Sequence, residues 1–164
     1  MDHRRQVARL YTAAHAEDPA ALRQYNLLLF AVRWIGTRAL LGKVTPILMA
    51  QPYLNDPARA QEIAQWRADW SALDNESIYR FGKAIFSRNS VLSDLAALET
   101  PPPTQIIVGS DDVATPVAQS HAMQSAIEGA RLKIIPNAGH SSPVETPQAV
   151  TNTISDFLAQ LGAA

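Results

Sequence analysis

Apolar residues in the first part of the chain recur at helical spacing. Over 4–16 they stand at i, i+3, i+4 and i+7, the period of an amphipathic helix. Asp18 and Pro19 are predicted to begin a second helix, since aspartate accepts free amide hydrogens and proline suits the first helical position. This second segment is apolar around much of its circumference. Thr37 is predicted to begin a further helix and Gly42 to end it.

The pattern from residue 56 to the three prolines at 101–103 predicts more helices. Asp56 followed by proline repeats the start signal for a helix to about residue 73. Asp74 or Asn75 is predicted to cap the next helix, and a shorter turn follows over 91–98. The first 99 residues therefore form one predicted helical region.

After residue 100 the pattern changes to short β-branched runs that alternate with helical segments. The predicted elements are a strand over 105–108, a helix from Thr115 to about 128, a strand over 132–135, and a helix from Thr146 to Gly162. Parallel strands joined in this way need a right-handed crossover. The predicted fold class is α/β, with a helical region over 1–99 and a strand–helix–strand–helix unit over 100–164.

Composition and charge narrow the class of function. The 164 residues carry a formal net charge of −1 at pH 7, and the pI is about 6.4. This balance argues against nucleic-acid or anionic-membrane partners. The longest apolar run, 27–32, is far short of the ~20 residues that span a bilayer, and the start does not resemble a signal peptide. There is no cysteine, and His3, His15 and His121 have no metal-pair spacing. We expect a cytoplasmic protein without a cofactor or a metal.

Polar residues follow both predicted strands where the strands end. Asp111 and Asp112 follow the first strand, and His140 follows the second, twenty-eight positions after Asp112. If these strands are neighbours, ~4.8 Å apart, an aspartate on one loop reaches the imidazole on the next. A carboxylate on one ring nitrogen leaves the other free to take a proton from a nucleophile. We predict this general-base pair from Asp112 and His140, with Asp111 as a competing acid that more often forms the turn.

Two stretches resemble the α/β-hydrolase family. Residues 104–116 (TQIIVGSDDVATP) are similar to its late strand and acid loop, in which the acid stands three after the glycine and four before the proline. Residues 130–140 (ARLKIIPNAGH), followed by Glu145 and Pro147, are similar to its last strand and histidine loop. The resemblance implies that Asp112 and His140 are the acid and histidine of a Ser–Asp–His triad. It also implies a helical cap over 1–99 and a small-molecule ester, lactone or related carbonyl substrate.

The sequence departs from that family at the nucleophile. No G-x-S-x-G motif occurs in the 164 residues. Ser141 and Ser142 follow the histidine, but serines there usually bond to nearby backbone. We therefore expect the chain to be inactive on its own. We also expect it to be a fragment, a truncated or split gene product, or part of an assembly that covers the exposed sheet edge. The alternative is a non-catalytic binding module that self-associates.

Several further residues have two interpretations. Phe30, Trp34, Trp66 and Trp70 could line an apolar substrate pocket, but core packing is the commoner role of such residues. Glu145 is predicted to help begin the last helix rather than to take part in chemistry.

Overall fold

The computed structural model of the protein describes Ala14, Ala16 and residues 19–162. Apart from Ala14 and Ala16, the predicted helix over 4–16 lies outside the described residues. Asp18, the predicted cap of the second helix, lies outside them as well. The helical region contains α1 (Pro19–Ile35), α2 (Thr37–Leu48), α3 (Gln51–Leu54), a 3-10 turn (Pro57–Arg59), α4 (Ala60–Ala72), α5 (Asn75–Phe86) and α6 (Leu92–Ala96). The strand-containing region contains β1 (Gln105–Gly109), α7 (Val117–Ala126), β2 (Arg131–Ile135), α8 (Ser142–Glu145) and α9 (Pro147–Gly162).

Two aspartates cap helices as the sequence predicts. The Asp56 carboxylate accepts a hydrogen bond from the Ala58 amide at 2.9 Å, and the 3-10 turn before α4 begins there. Asp74, rather than Asn75, caps α5 and accepts from the Ser77 amide at 2.7 Å. In both cases a short side-chain acceptor satisfies an amide that the first helical turn leaves free.

Gly42 does not end a helix, so that prediction was wrong. It lies inside α2, which continues to Leu48. A glycine ends a helix by adopting positive φ, and the described glycines that do so are Gly36 and Gly129. The helix ends two residues after Pro46, whose ring nitrogen has no hydrogen to donate.

The two strands pair in parallel, with Gln105 opposite Arg131 and Gly109 opposite Ile135. Within the described residues this sheet has two strands, in the order β1–β2. Successive β1 residues point to opposite faces. Ile106 packs into a cluster with Met123 and Ile127 beside α7. Ile107 packs on the other face, against a cluster that includes Val150 of α9, and the sheet is therefore covered on both faces.

A third apolar cluster joins the helices of the first region. Met49, Tyr53 and Ile63 are buried together, with Trp66 packed against them. Met49 lies between α2 and α3, at the point where the helical region meets the loop after β2. This junction brings the two regions into contact, because Leu48 and Ala50 form hydrogen bonds with residues that follow β2.

Candidate active site

The strand register places both predicted loops at one edge of the sheet. Because Gly109 lies opposite Ile135, β1 and β2 end side by side. The Ser110 amide donates to the Ile135 carbonyl at 2.9 Å, and the Asp111 amide donates to the Ala138 carbonyl at 2.9 Å. The loop after β1 is thus fastened directly to the loop after β2.

Gly109 allows this close approach. A Cβ atom built at residue 109 would lie 2.5 Å from the Ala138 carbonyl carbon and even closer to the carbonyl oxygens of Ala138 and Gly139. No side chain fits there unless the second loop moves. The glycine at the end of β1 therefore sets how near the two loops come.

Asp112 and His140 contact each other directly. The Asp112 Oδ2 atom lies 3.0 Å from His140 Nδ1. The aspartate side chain is 5% exposed, whereas the imidazole is 33% exposed. A carboxylate on Nδ1 fixes the ring orientation and leaves Nε2 as the nitrogen available for proton transfer. The geometry can therefore provide a general base.

Thr115 contacts both Asp112 and His140, and the sequence interpretation missed this role. Its amide donates to Asp112 Oδ1 at 2.8 Å and its hydroxyl donates to Asp112 Oδ2 at 2.8 Å. The same hydroxyl oxygen lies 3.2 Å from His140 Nδ1. The sequence predicts a helix that begins at Thr115, yet α7 begins at Val117. The signal was the Asp-x-x-Thr spacing, which allows a carboxylate to accept from the residue three positions on.

The electrostatics of the pair favour the charged aspartate. Burial acts to raise the pKa of Asp112, but its hydrogen bonds with His140 and Thr115 outweigh burial, and the pKa falls below its ordinary value. The hydrogen bond to Asp112 raises the pKa of His140 against an opposing effect of burial. Both directions favour an aspartate anion that stabilises an imidazolium.

Other polar candidates lie outside this contact. The Asp111 carboxylate accepts from the Ser110 hydroxyl at 2.8 Å and is exposed, so the structure brings Asp112 to the histidine. Ser141 donates its amide to the Leu48 carbonyl at 2.9 Å, and Ser142 is buried at the start of α8. His121 is exposed on α7, and His3 and His15 lie outside the described residues.

The aromatic residues divide into two groups. Trp66 packs on the buried cluster of Met49, Tyr53 and Ile63, with its ring 5.2 Å from that of Trp70. Phe30 is 58% exposed and Trp34 is 71% exposed. The core-packing interpretation is therefore wrong for these two residues of α1.

The described part of the chain contains neither a candidate metal site nor a candidate membrane span. No three His, Asp or Glu side chains there converge in a group able to hold a metal ion. None of the helices within residues 19–162 is long and apolar enough to cross a membrane.

The family is decided by a match that covers most of the chain. Residues 3–153 match the model of the alpha/beta hydrolase family. The chain belongs to the alpha/beta hydrolase family. Its two-stranded unit is accordingly part of an α/β-hydrolase fold.

Individual members of the family match over different lengths. The chain is 29% identical over 104 residues to monoacylglycerol lipase abhd6-A of Xenopus laevis, a match that covers 62% of this chain and 30% of that protein. The enol-lactonase of Burkholderia xenovorans LB400 superposes with a TM-score of 0.78 at 27% identity, covering 93% of this chain and 55% of that one. A thermophilic esterase from Thermogutta terrifontis superposes with a TM-score of 0.77 at 24% identity. This match covers 90% of this chain and 53% of the esterase. The chain thus spans about half the length of these solved relatives.

Proposed function

We propose that the chain supplies the acid and the histidine of a Ser–Asp–His triad that acts on an ester, lactone or related carbonyl substrate. The observation that carries this proposal is the 3.0 Å contact between Asp112 and His140 at the edge where the strands end. In this proposal residues 1–99 are the cap and residues 100–164 are the last part of the hydrolase core.

The proposed roles follow from the geometry. His140 takes the proton of a serine hydroxyl on Nε2 and later gives it to the leaving group. Asp112 accepts a hydrogen bond from the Nδ1–H group of His140 and stabilises the imidazolium that forms. The serine and the oxyanion hole would come from outside these 164 residues, because no G-x-S-x-G occurs among them.

The substrate class is supported by the relatives. A monoacylglycerol lipase, an enol-lactonase and an esterase are among the proteins that this chain resembles. Without a nucleophile, we expect the chain alone to hydrolyse an activated aryl ester no faster than its His140→Ala variant. A cytoplasmic location, expected from the sequence, is also part of this proposal.

A chimera tests the proposed roles. The first part of the Burkholderia enol-lactonase, up to the point where the superposition begins, would be joined to this chain and assayed with p-nitrophenyl acetate. We expect turnover that falls by ~10²-fold or more in His140→Ala, the usual range of a general base. Asp112→Asn should also lose most activity, because the amide no longer stabilises the imidazolium.

The matched control is His121→Ala, which removes an exposed imidazole from α7. It should leave the turnover unchanged. A folded chimera that hydrolyses the ester equally well with and without His140, or a chain that does so alone through His140, would contradict the proposal.

A second candidate is a non-catalytic module that self-associates. It is favoured by the exposed stripe of Leu27, Phe30 and Trp34 on α1, at i, i+3 and i+7. Sedimentation velocity of the chain tests it, since a stable monomer at high concentration would count against this candidate.

A further inference from the structure

The loop that carries His140 is fastened to the helical region by a buried carboxylate. Glu145, the last residue of α8, is 4% exposed. Its Oε2 atom accepts from the Ala50 amide at 2.8 Å and from the Gly139 amide at 3.0 Å, and Oε1 lies 3.1 Å from the Gly139 nitrogen. A buried carboxylate is costly unless it is hydrogen-bonded, and here two backbone donors satisfy it.

The two residues that flank His140 are both attached to the same segment, the junction 48–50 between α2 and α3. Gly139, which precedes the histidine, shares Glu145 with Ala50. Ser141, which follows it, donates its amide to the Leu48 carbonyl at 2.9 Å. The histidine is therefore held from both sides by one short piece of the helical region.

The packing at this point leaves little freedom. A Cβ atom built on Gly139 would lie 2.6 Å from the Ala50 nitrogen and 2.9 Å from the Met49 carbonyl carbon. Met49 itself is buried in the cluster with Tyr53 and Ile63. The junction is thus anchored in a core, and a loop attached to it inherits that rigidity.

We infer that Glu145 is a positioning residue that holds His140 against Asp112 by tying the histidine loop to the junction 48–50. Its meaning for catalysis rests on the function proposed above. On the strand side the loop is held by the Ala138 carbonyl, which accepts from the Asp111 amide. Glu145, together with the hydrogen bond from Ser141 to Leu48, attaches the loop to the helical region.

The consequence is a link between the helical region and the catalytic pair. A movement of α2 relative to α3 would reach His140 through Ala50, Glu145 and Gly139. Phe30, Trp34 and the other exposed residues of α1 do not take part in this connection. The position of the histidine therefore depends on residues about ninety positions earlier in the sequence.

The experiment uses the 164-residue chain and needs no turnover. Glu145→Gln keeps the shape of the side chain but removes its charge and turns one acceptor oxygen into a donor. Nuclear magnetic resonance would follow two signals, the exchange of the Ala50 and Gly139 amides and the deshielded Nδ1 proton of His140. We expect at least ten-fold faster amide exchange together with loss or broadening of the Nδ1 proton signal.

Two further variants make the result specific. Glu128→Gln is the same substitution on an exposed residue after α7 and should change neither signal. Glu145→Asp keeps the charge but is one methylene shorter, so it should protect one amide at most and restore the Nδ1 signal only in part.

The inference is overturned if the two amides exchange faster in a folded Glu145→Gln protein while the His140 signal stays as in the parent. If Glu145→Gln does not fold, the same comparison in Glu145→Asp decides, and an unchanged imidazole signal there also overturns it. An inactive chimera with a Glu145-dependent imidazole signal would refute the proposed hydrolysis alone.

Discussion

The close packing of Gly109 makes Gly109→Ala the sharpest test of how the site is built. The new methyl group would meet the backbone of Ala138 and Gly139, the two residues before His140. Backbone atoms cannot rotate away as a flexible side chain can. The loop after β2 must therefore move as a unit, and it carries the imidazole with it.

The size of the movement follows from the distances. The added carbon would lie 2.5 Å from the Ala138 carbonyl carbon, whereas unstrained carbon contacts lie at about 3.5–4.0 Å, so the loop must retreat by about 1 Å. A retreat of that size would take the Asp112–His140 contact from 3.0 Å to about 4 Å, beyond hydrogen-bonding distance. Overpacking of this kind costs about 1–3 kcal/mol, and each kcal/mol lowers Tm by about 2–4 °C in a chain of this size.

The assay combines thermal unfolding by circular dichroism with the Nδ1 proton signal of His140. Gly42→Ala is the matched control, because a Cβ atom at that position meets nothing within 4 Å in the interior of α2. We expect this control to stabilise the protein by about 0.5–1 kcal/mol through helix propensity. The two glycine substitutions should therefore shift Tm in opposite directions.

The reasoning is refuted if Gly109→Ala unfolds at the parent temperature and keeps the parent His140 signal. It is also refuted if Gly109→Ala and Gly42→Ala change Tm in the same direction by similar amounts. The contact between residue 109 and the loop after β2 would then contribute little to the change in Tm.

Two other predictions concern hydrogen bonds at buried groups. Thr115→Val should cost about 1 kcal/mol in urea unfolding at neutral pH and raise the pKa of Asp112, because the hydroxyl no longer donates to its carboxylate. Burial, together with the hydrogen bond to Glu62 and the charge of that residue, raises the pKa of Tyr53 to about 12. The folded state then favours the neutral phenol, so its contribution to stability is complete below pH 10 and is lost as the pH rises towards 12. Absorbance titration should show a late-ionising tyrosine that is absent from Tyr53→Phe.

Each of these two has its own control. Thr153→Val removes a hydroxyl that donates to the Ala149 carbonyl on the exposed surface of α9. If Thr153→Val and Thr115→Val lower the free energy of unfolding equally, the hydrogen bond from Thr115 to Asp112 adds no stability beyond that of an exposed hydroxyl. For Tyr53 the control is the urea-unfolded chain, in which all tyrosines should titrate near 10. A native titration curve that matches the unfolded one would contradict the assignment.

The local sequence determined most of the elements and the approximate place of the site. Asp56 and Asp74 mark helix starts because an N-cap acts on amides two or three residues away, within one turn. Both strands were predicted from short β-branched runs, and parallel neighbours end at a common edge. For that reason the local sequence is enough to pair Asp112 with His140.

Tertiary structure decided what depends on contacts between distant residues. Glu145 bonds Ala50 across 95 positions, and no periodicity in the sequence records such a pair. Whether Gly42 ends its helix depended on φ, and whether Trp34 is buried depended on what packs against α1. Local spacing reports interactions within a turn or a strand, whereas burial and long-range hydrogen bonds exist only once the regions are packed together.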